Sequence, residues 1–275
     1  MSFFTDPKVQ DIVQGNIKKV EKLEAKEAER MLTTFKKVRG DLQERLLFAN
    51  EGTFTEQHLR VSLVQVDAVL QALAERLKVD IGEGAQKLGE QGVEDLSEEI
   101  ERFSRYFGGS TIPIPLDTIA ISLDTTNYLI NRYESSIDAY SGALRQQITQ
   151  GLTESLIARD NFSTAVYKLQ RFMKGEEWRV QRIARTELHN VYNLAKQNGM
   201  EEAQTTIPDL KKSLFHPMDN RTGEDSKLAA RMKLVVDIDE PFSYTFNGKR
   251  RVYMVPPDRP NDRSILVPYR ESWNK

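Results

Sequence analysis

Apolar side chains recur along roughly the first two hundred residues at steps of three and four, the period of an α-helix, and lose that period afterwards. From Pro7 to about Asn50 a stretch dense in Lys and Glu carries one apolar stripe, Ile17, Val20, Met31, Phe35, Val38, Leu42 and Leu46, which predicts an amphipathic helix exposed over much of its surface. Thr53-x-x-Glu56 has the form of a capping box and predicts a new helix start. Leu59, Leu63, Val66, Leu70, Leu73 and Leu77 then form one seam, shorter than a coiled coil requires and suited to bundle packing. Asp80-Ile81-Gly82-Glu83-Gly84 interrupts the pattern. Leu96, Ile100, Phe103 and Phe107 restore it, and Gly108-Gly109 supplies a stop.

Each proline of Ile112-Pro113-Ile114-Pro115 removes an amide donor, so no helix crosses this stretch and it reads as a hinge. Helical spacing returns after Asp124 through Ile130, Tyr133, Ile137, Tyr140, Leu144 and Ile148, with Gly151 at a natural stop or bend. A short helix after Asn161-Phe162-Ser163 ends at Lys174-Gly175. A longer one runs from about Glu177 to Ala203 and buries Ile183, Ala184, Leu188, Val191, Leu194 and Ala195. Glu187 falls inside that stripe, where an ionised carboxylate needs a cation; Arg185 and His189 lie nearer its edge and are second candidates for inward contacts.

Beyond Thr205-Thr206-Ile207-Pro208 the prolines forbid a long helix. Phe242-Ser243-Tyr244-Thr245-Phe246, Asn247-Gly248 and Lys249-Arg250-Arg251-Val252-Tyr253 predict a β-hairpin, because both turn residues tolerate the positive φ of a type I′ turn. Ser264 to Pro268 predicts a further strand at an edge. The expected fold is therefore mainly α with a small α+β C-terminal domain. It comprises an N-terminal helical region over 1–110 that packs as a bundle, a proline hinge and long helix over 111–160, and over 161–275 a β-hairpin unit packed on the helix that contains Glu187.

Charge narrows the partners: 39 Lys+Arg against 41 Asp+Glu make the chain nearly neutral, so any contact with nucleic acid has to be local. No cysteine is present, which removes disulfides, thiolate zinc sites and cysteine nucleophiles together. His58, His189 and His216 are scattered with no ligand spacing, so neither a metal nor another cofactor is expected. No phosphate-binding glycine loop, dinucleotide fingerprint or Gly-x-Ser-x-Gly elbow occurs. The start of the chain has no leader pattern, and no run approaches a membrane span, so a protein of the cytoplasm or of a particle assembled there is expected, without membrane or small-molecule partners.

Glu187, Asp219, Arg221, Asn261 and Arg263 form a polar constellation if the strands pack on the Glu187 helix. A carboxylate base with arginines for an anionic substrate is one reading; a structural Glu-Arg network is the favoured one. Two basic groups, Lys168 to Arg185 along the connected helices and Lys249-Arg250-Arg251 on the hairpin, suit phosphate contact without base reading.

Three motifs in order carry a resemblance. Ala184-Arg185-Thr186-Glu187, then Asp219-x-Arg221-Thr222, then Pro256-Pro257, Pro260-Asn261 and Arg263 resemble the phage Mu F-like family of head morphogenesis (minor head) proteins over about residues 163–269. The family pattern has a second Arg where this chain has Gly223, His where it has Ser226 and Arg259, and Cys where it has Asp262 and Ser264, so metal binding is not carried over. The resemblance implies a non-enzymatic minor head protein of a tailed bacteriophage, associated with the portal and residing in the capsid interior. The scaffolding or major capsid protein and packaged double-stranded DNA are further candidate partners. It also sharpens the network reading, in which Arg185, Glu187, Asp219, Arg221, Asn261 and Arg263 are structural and Arg263 or Arg221 lies within ion-pair distance of Glu187. A DNA-binding module without a capsid role and a toxin-like enzyme domain acting on an anionic substrate are the alternatives.

Overall fold

The structure is a computed structural model and describes residues 2–47, 53–108 and 123–274. The elements run α1 (Pro7–Leu47), α2 (Glu56–Tyr106), α3 (Leu123–Ile157), α4 (Phe162–Gly175), α5 (Glu177–Gln204), β1 (Lys211–Phe215), α6 (Glu224–Met232), β2 (Val235–Asp237), β3 (Phe242–Phe246), β4 (Lys249–Tyr253) and β5 (Ile265–Tyr269). The mainly helical fold with a small C-terminal α+β region is as the periodicity predicts. The Pro113 to Pro115 stretch and Gly109 lie outside the described residues.

The chain divides into two compact units, each discontinuous in sequence. One comprises Met1–Ala25, Gly84–Leu129 and Arg185–Lys275; the other comprises Lys26–Glu83 and Ile130–Ala184. These units cut across the three consecutive segments read from sequence, because α1, α2, α3 and α5 each contribute to both.

The first unit has one core. Val9, Val13, Ile17 and Val20 of α1, Leu96, Ile100 and Phe103 of α2, and Leu188, Val191 and Tyr192 of α5 are buried against the strands. Gly92 marks the closest approach: a Cβ there would stand 2.6 Å from the Tyr192 carbonyl oxygen, so α2 passes α5 at a distance that any larger residue would open. Phe3 packs at 5.3 Å between ring centroids on both Phe103 and Tyr269, edge-on in each case.

The sheet order is β2-β1-β5, all antiparallel, with β3 and β4 forming a separate hairpin. Asn247 and Gly248 have φ of 48° and 73°, the type I′ turn expected at that dipeptide. β5 is one of the two edge strands, and its free side is managed rather than exposed. The Leu266 N–H donates to Asn193 Oδ1 of α5 at 2.8 Å, so the Leu214–Leu266 pair is not hydrogen-bonded across the ladder. Pairs alternate in an antiparallel ladder, so Pro268, opposite Lys212, falls at the next outward-facing position, where no N–H is needed.

The second unit is helical. Its core contains Met31, Phe35 and Leu42 of α1, Val66, Leu70, Leu73 and Leu77 of α2, Ile137, Tyr140, Leu144 and Ile148 of α3, and Val166, Leu169 and Met173 of α4. The side chains of Ile130 and Tyr133, which the helical spacing also marks, are not among those described. Arg145 grips Asp67 with two hydrogen bonds, at 2.6 and 2.8 Å, and Asn161 caps α4 by accepting from Thr164 N at 2.8 Å.

Three local expectations are corrected. The α2 cap is Thr55 with His58, not Thr53 with Glu56: the His58 N–H donates to Thr55 Oγ1 at 3.4 Å, while the Thr55 N–H donates to His58 Nδ1 at 3.1 Å. Thr53 instead forms a β-bridge to Asn161. α2 also runs unbroken through Gly82 and Gly84, because Ile81 and Gly84 are buried and Asp80 takes a 2.6 Å hydrogen bond from Thr34, and such packing outweighs about 1 kcal/mol of propensity per glycine. α3 likewise continues past Gly151 to Ile157.

Candidate functional site

Two arginines and two carboxylates of the first unit form a clasp on its surface. Asp219 and Arg221 lie in the turn after β1, held by their own hydrogen bonds: the Arg221 N–H donates to Asp219 Oδ1 at 2.9 Å, and the Thr222 hydroxyl donates to the Pro217 carbonyl. Arg263, just before β5, reaches the same carboxylate with both terminal nitrogens, Nη2 to Oδ1 at 2.6 Å and Nη1 to Oδ2 at 2.9 Å. That fork geometry makes the pair bidentate. The Arg263 guanidinium holds the Asp219 carboxyl well below the usual carboxylate range, and hydrogen bonding from Asp219 raises Arg263 in turn.

The fourth member is Glu21 of α1, which accepts from Arg263 at 2.8 Å and from Arg221 at 3.0 Å. Nothing in the sequence marks it, because it is one acidic side chain among many on a charged helix. Of the constellation read from sequence, Asp219, Arg221 and Arg263 are thus in direct contact. Asn261 stands at the rim with φ of 63°. Arg185, exposed on α5, lines the same cleft as Arg221 and Arg263, about 510 Å³ in volume. Glu187 is half-buried on α5 and takes part in an electrostatic or hydrogen-bonding interaction; the acids that the two arginines meet in the clasp are Glu21 and Asp219.

Behind the clasp lies a buried polar chain. His189 of α5 stands between Glu24 of α1, at 2.6 Å from Nδ1, and the Ser264 carbonyl, at 2.7 Å from Nε2. Both ring nitrogens face acceptors, which fits the imidazolium form. Burial alone would lower its pKa, but the Glu24 charge and hydrogen bond, with the Ser264 carbonyl, outweigh burial and raise it to about 9. Ser264 Oγ meets Asp262 Oδ1 and His216 Nδ1, each at 2.5 Å. The carboxylate accepts the one Ser264 proton, so the neutral His216 ring donates its Nδ1–H to the serine oxygen.

Burial pushes His216 down from 6.5 to about 4. A depressed folded-state pKa contributes stability above pH 6.5 that is lost as pH falls through about 4. We therefore expect the urea midpoint of the wild-type chain to fall over that window, and His216→Asn to lose less stability across it than wild type. An unchanged acid limb in the variant would contradict this assignment.

Deeper still, Lys196 and Glu99 form a fully buried ion pair, with Lys196 Nζ at 2.7 and 2.8 Å from the two carboxylate oxygens and Asn16 Nδ2 donating to one of them at 2.8 Å. Lys212 of β1 is buried without an ion-pair partner among the described residues. It donates to Gln197 Oε1 and the Met254 carbonyl, and burial lowers its pKa to about 8. Sequence reading had no means of finding this layer, since polar residues on α5 look like a solvated face until the helices that cover them are known.

The basic residues of the hairpin do not form one patch. Lys249 and Arg250 are exposed on opposite faces of β4, with Arg250 Nε donating to Ser243 Oγ at 3.1 Å, and Arg251 is half-buried with its Nε 3.9 Å from Asp258. Among the described residues no cluster of three or more His, Asp or Glu is arranged to hold a metal ion, and no helix is long and apolar enough to cross a membrane. Comparison with models of protein families, with curated proteins and with solved structures gives no match.

Proposed function

We propose that this chain is a minor head protein of a tailed bacteriophage, of the Mu F-like kind, which associates with the portal during assembly and remains inside the head. One observation carries the reading. Several positions of the second and third motifs, some that match the family pattern and some that depart from it, line a single small pocket of about 200 Å³: Arg221 and Thr222 with Gly223 and Ser226, and Pro260, Asn261 and Arg263 with Arg259, Asp262 and Ser264. The antiparallel pairing of β1 with β5, Phe215 opposite Ile265, brings these motif positions to one end of the sheet, as a shared structural site requires.

The departures are also mutually consistent. Where the family pattern has His at both positions, this chain has Ser226 and Arg259, which are hydrogen-bonded to each other at 2.6 Å; where it has two Cys, this chain has Asp262 and Ser264, bonded at 2.5 Å. Hydrogen bonds and the Arg263–Asp219 pair thus tie together a region that soft-ligand side chains occupy in the family pattern. In this reading the clasp is structural and the chain has no catalytic step.

Co-expression of the tagged chain with the candidate portal protein tests the proposal. The expected result is a stable complex that survives size-exclusion chromatography at physiological salt. Failure of the two to co-purify, with both chains folded, would overturn it.

A further inference from the structure

The cleft beside the clasp has more positive charge than its own carboxylates use. Five cations line it, Lys18, Lys22, Arg185, Arg221 and Arg263, against Glu21, Glu24 and Asp262. Each of these carboxylates is already matched from within the fold. Glu21 is held by Arg221 and Arg263 at 3.0 and 2.8 Å, and Glu24 lies 2.6 Å from the buried His189 ring. Asp262 accepts from the Ser264 N–H and hydroxyl.

What remains is a set of three: Lys18 and Lys22 on α1, and Arg185 on α5. All three are exposed, and none has an ion-pair partner among the described residues. Lys18 and Lys22 are four residues apart on one helix, a like-charge spacing that destabilises an isolated helix. Between them and Arg185 lies open volume, and the Thr186 hydroxyl on the cleft wall is buried without a hydrogen-bond partner. The cleft, at about 510 Å³, falls within the size range of small-molecule sites yet offers no aromatic wall to grip a base or a ring.

We propose that this cleft binds a polyphosphate group, with Lys18, Lys22 and Arg185 as its primary cations and Arg221 and Arg263 as the fixed back wall. Point charges on flexible stems suit a multiply charged anion, while the clasp arginines keep their places because Asp219 and Glu21 hold them. Two sources present such closely spaced charges: the polyphosphate of a free nucleotide, or successive phosphodiesters of a nucleic-acid backbone. The inference stands on the cleft alone and does not depend on a role in the head.

Calorimetric titration of the full chain with inorganic pyrophosphate at low ionic strength tests it. Saturable binding is expected, weakening as salt is added, and Lys18→Gln/Lys22→Gln/Arg185→Gln is expected to weaken it at least about tenfold, equivalent to roughly 1.4 kcal/mol. The thermal midpoint of that variant should not fall, since none of the three side chains is ion-paired and the Lys18–Lys22 repulsion is relieved. A control variant with equal charge loss elsewhere in the unit, Lys233→Gln/Lys249→Gln/Arg250→Gln, should retain binding. Competition then separates the two sources: displacement of pyrophosphate by duplex DNA identifies the backbone, and displacement by a nucleoside triphosphate alone identifies a free nucleotide. No binding of pyrophosphate, or equal weakening in the control variant, would overturn the proposal.

Discussion

Glu99→Gln is expected to destabilise the first unit by about 3–5 kcal/mol, the largest effect of any single substitution considered for this chain. The substitution keeps the shape of the side chain and removes only its charge. Lys196 would then be left as an uncompensated cation with no access to solvent, since both members of the pair are fully buried. Burial pushes the Glu99 carboxyl up, against the pull of Lys196 and the Asn16 amide, so the pair is held by its partners rather than by its surroundings. Replacing both members, Glu99→Leu with Lys196→Met, should recover most of the loss, because a well-packed apolar pair avoids the desolvation cost altogether. Urea unfolding followed by Trp273 fluorescence in a Trp178→Phe background reads this unit selectively, since Trp273 is buried in it and Trp178 is an exposed residue of the other. A loss below about 1 kcal/mol for Glu99→Gln would show that the pair does not bear on stability as its burial implies.

Stability of the same unit is expected to fall as pH rises from 6.5 through about 9. His189 has a folded-state pKa raised to about 9, so its contribution is fully present below its ordinary value of 6.5 and is lost as the folded form deprotonates. The size of the shift sets that contribution on the order of 3 kcal/mol. Glu24→Gln removes the charge that raises His189 and should flatten the alkaline limb while leaving the acid limb, which His216 helps to set, in place. An alkaline limb as steep in Glu24→Gln as in wild type would assign the loss to another group.

Both effects concern residues that the amino-acid pattern represents poorly, and the reason is physical. Helical periodicity reports which side chains leave water for an apolar neighbour, so the stripes of α1, α2, α3 and α5 were legible, as was the hairpin, whose Asn247-Gly248 turn is determined by local backbone chemistry. β1 was not legible: Lys212 through Phe215 are buried on both faces, so the strand shows no alternation. The unbroken course of α2 through Gly82 and Gly84 was hidden for a related reason, because local propensity yields to tertiary packing.

The site divides along the same line. Asp219, Arg221 and Arg263 were visible as motif residues, and they meet. Glu21 and Glu24 were not, since a carboxylate on a charged helix gains meaning only from the arginine or histidine that another segment brings to it. His189 was marked for an inward contact by its place beside the apolar stripe, whereas Asn193, Lys196 and Gln197 present a polar face on α5 that looks solvated in sequence; all four are buried in the fold, where each finds a hydrogen-bond partner on α1, α2 or the C-terminal segment.

The measurement that tests the central claim most directly is quantitative mass spectrometry of purified phage heads, with the chain and the portal protein counted against the major capsid protein. The account predicts the chain at a small, reproducible number of copies per head, retained when the particle surface is treated with protease and lost from particles assembled without the portal. Heads that contain the portal but not this chain would contradict it.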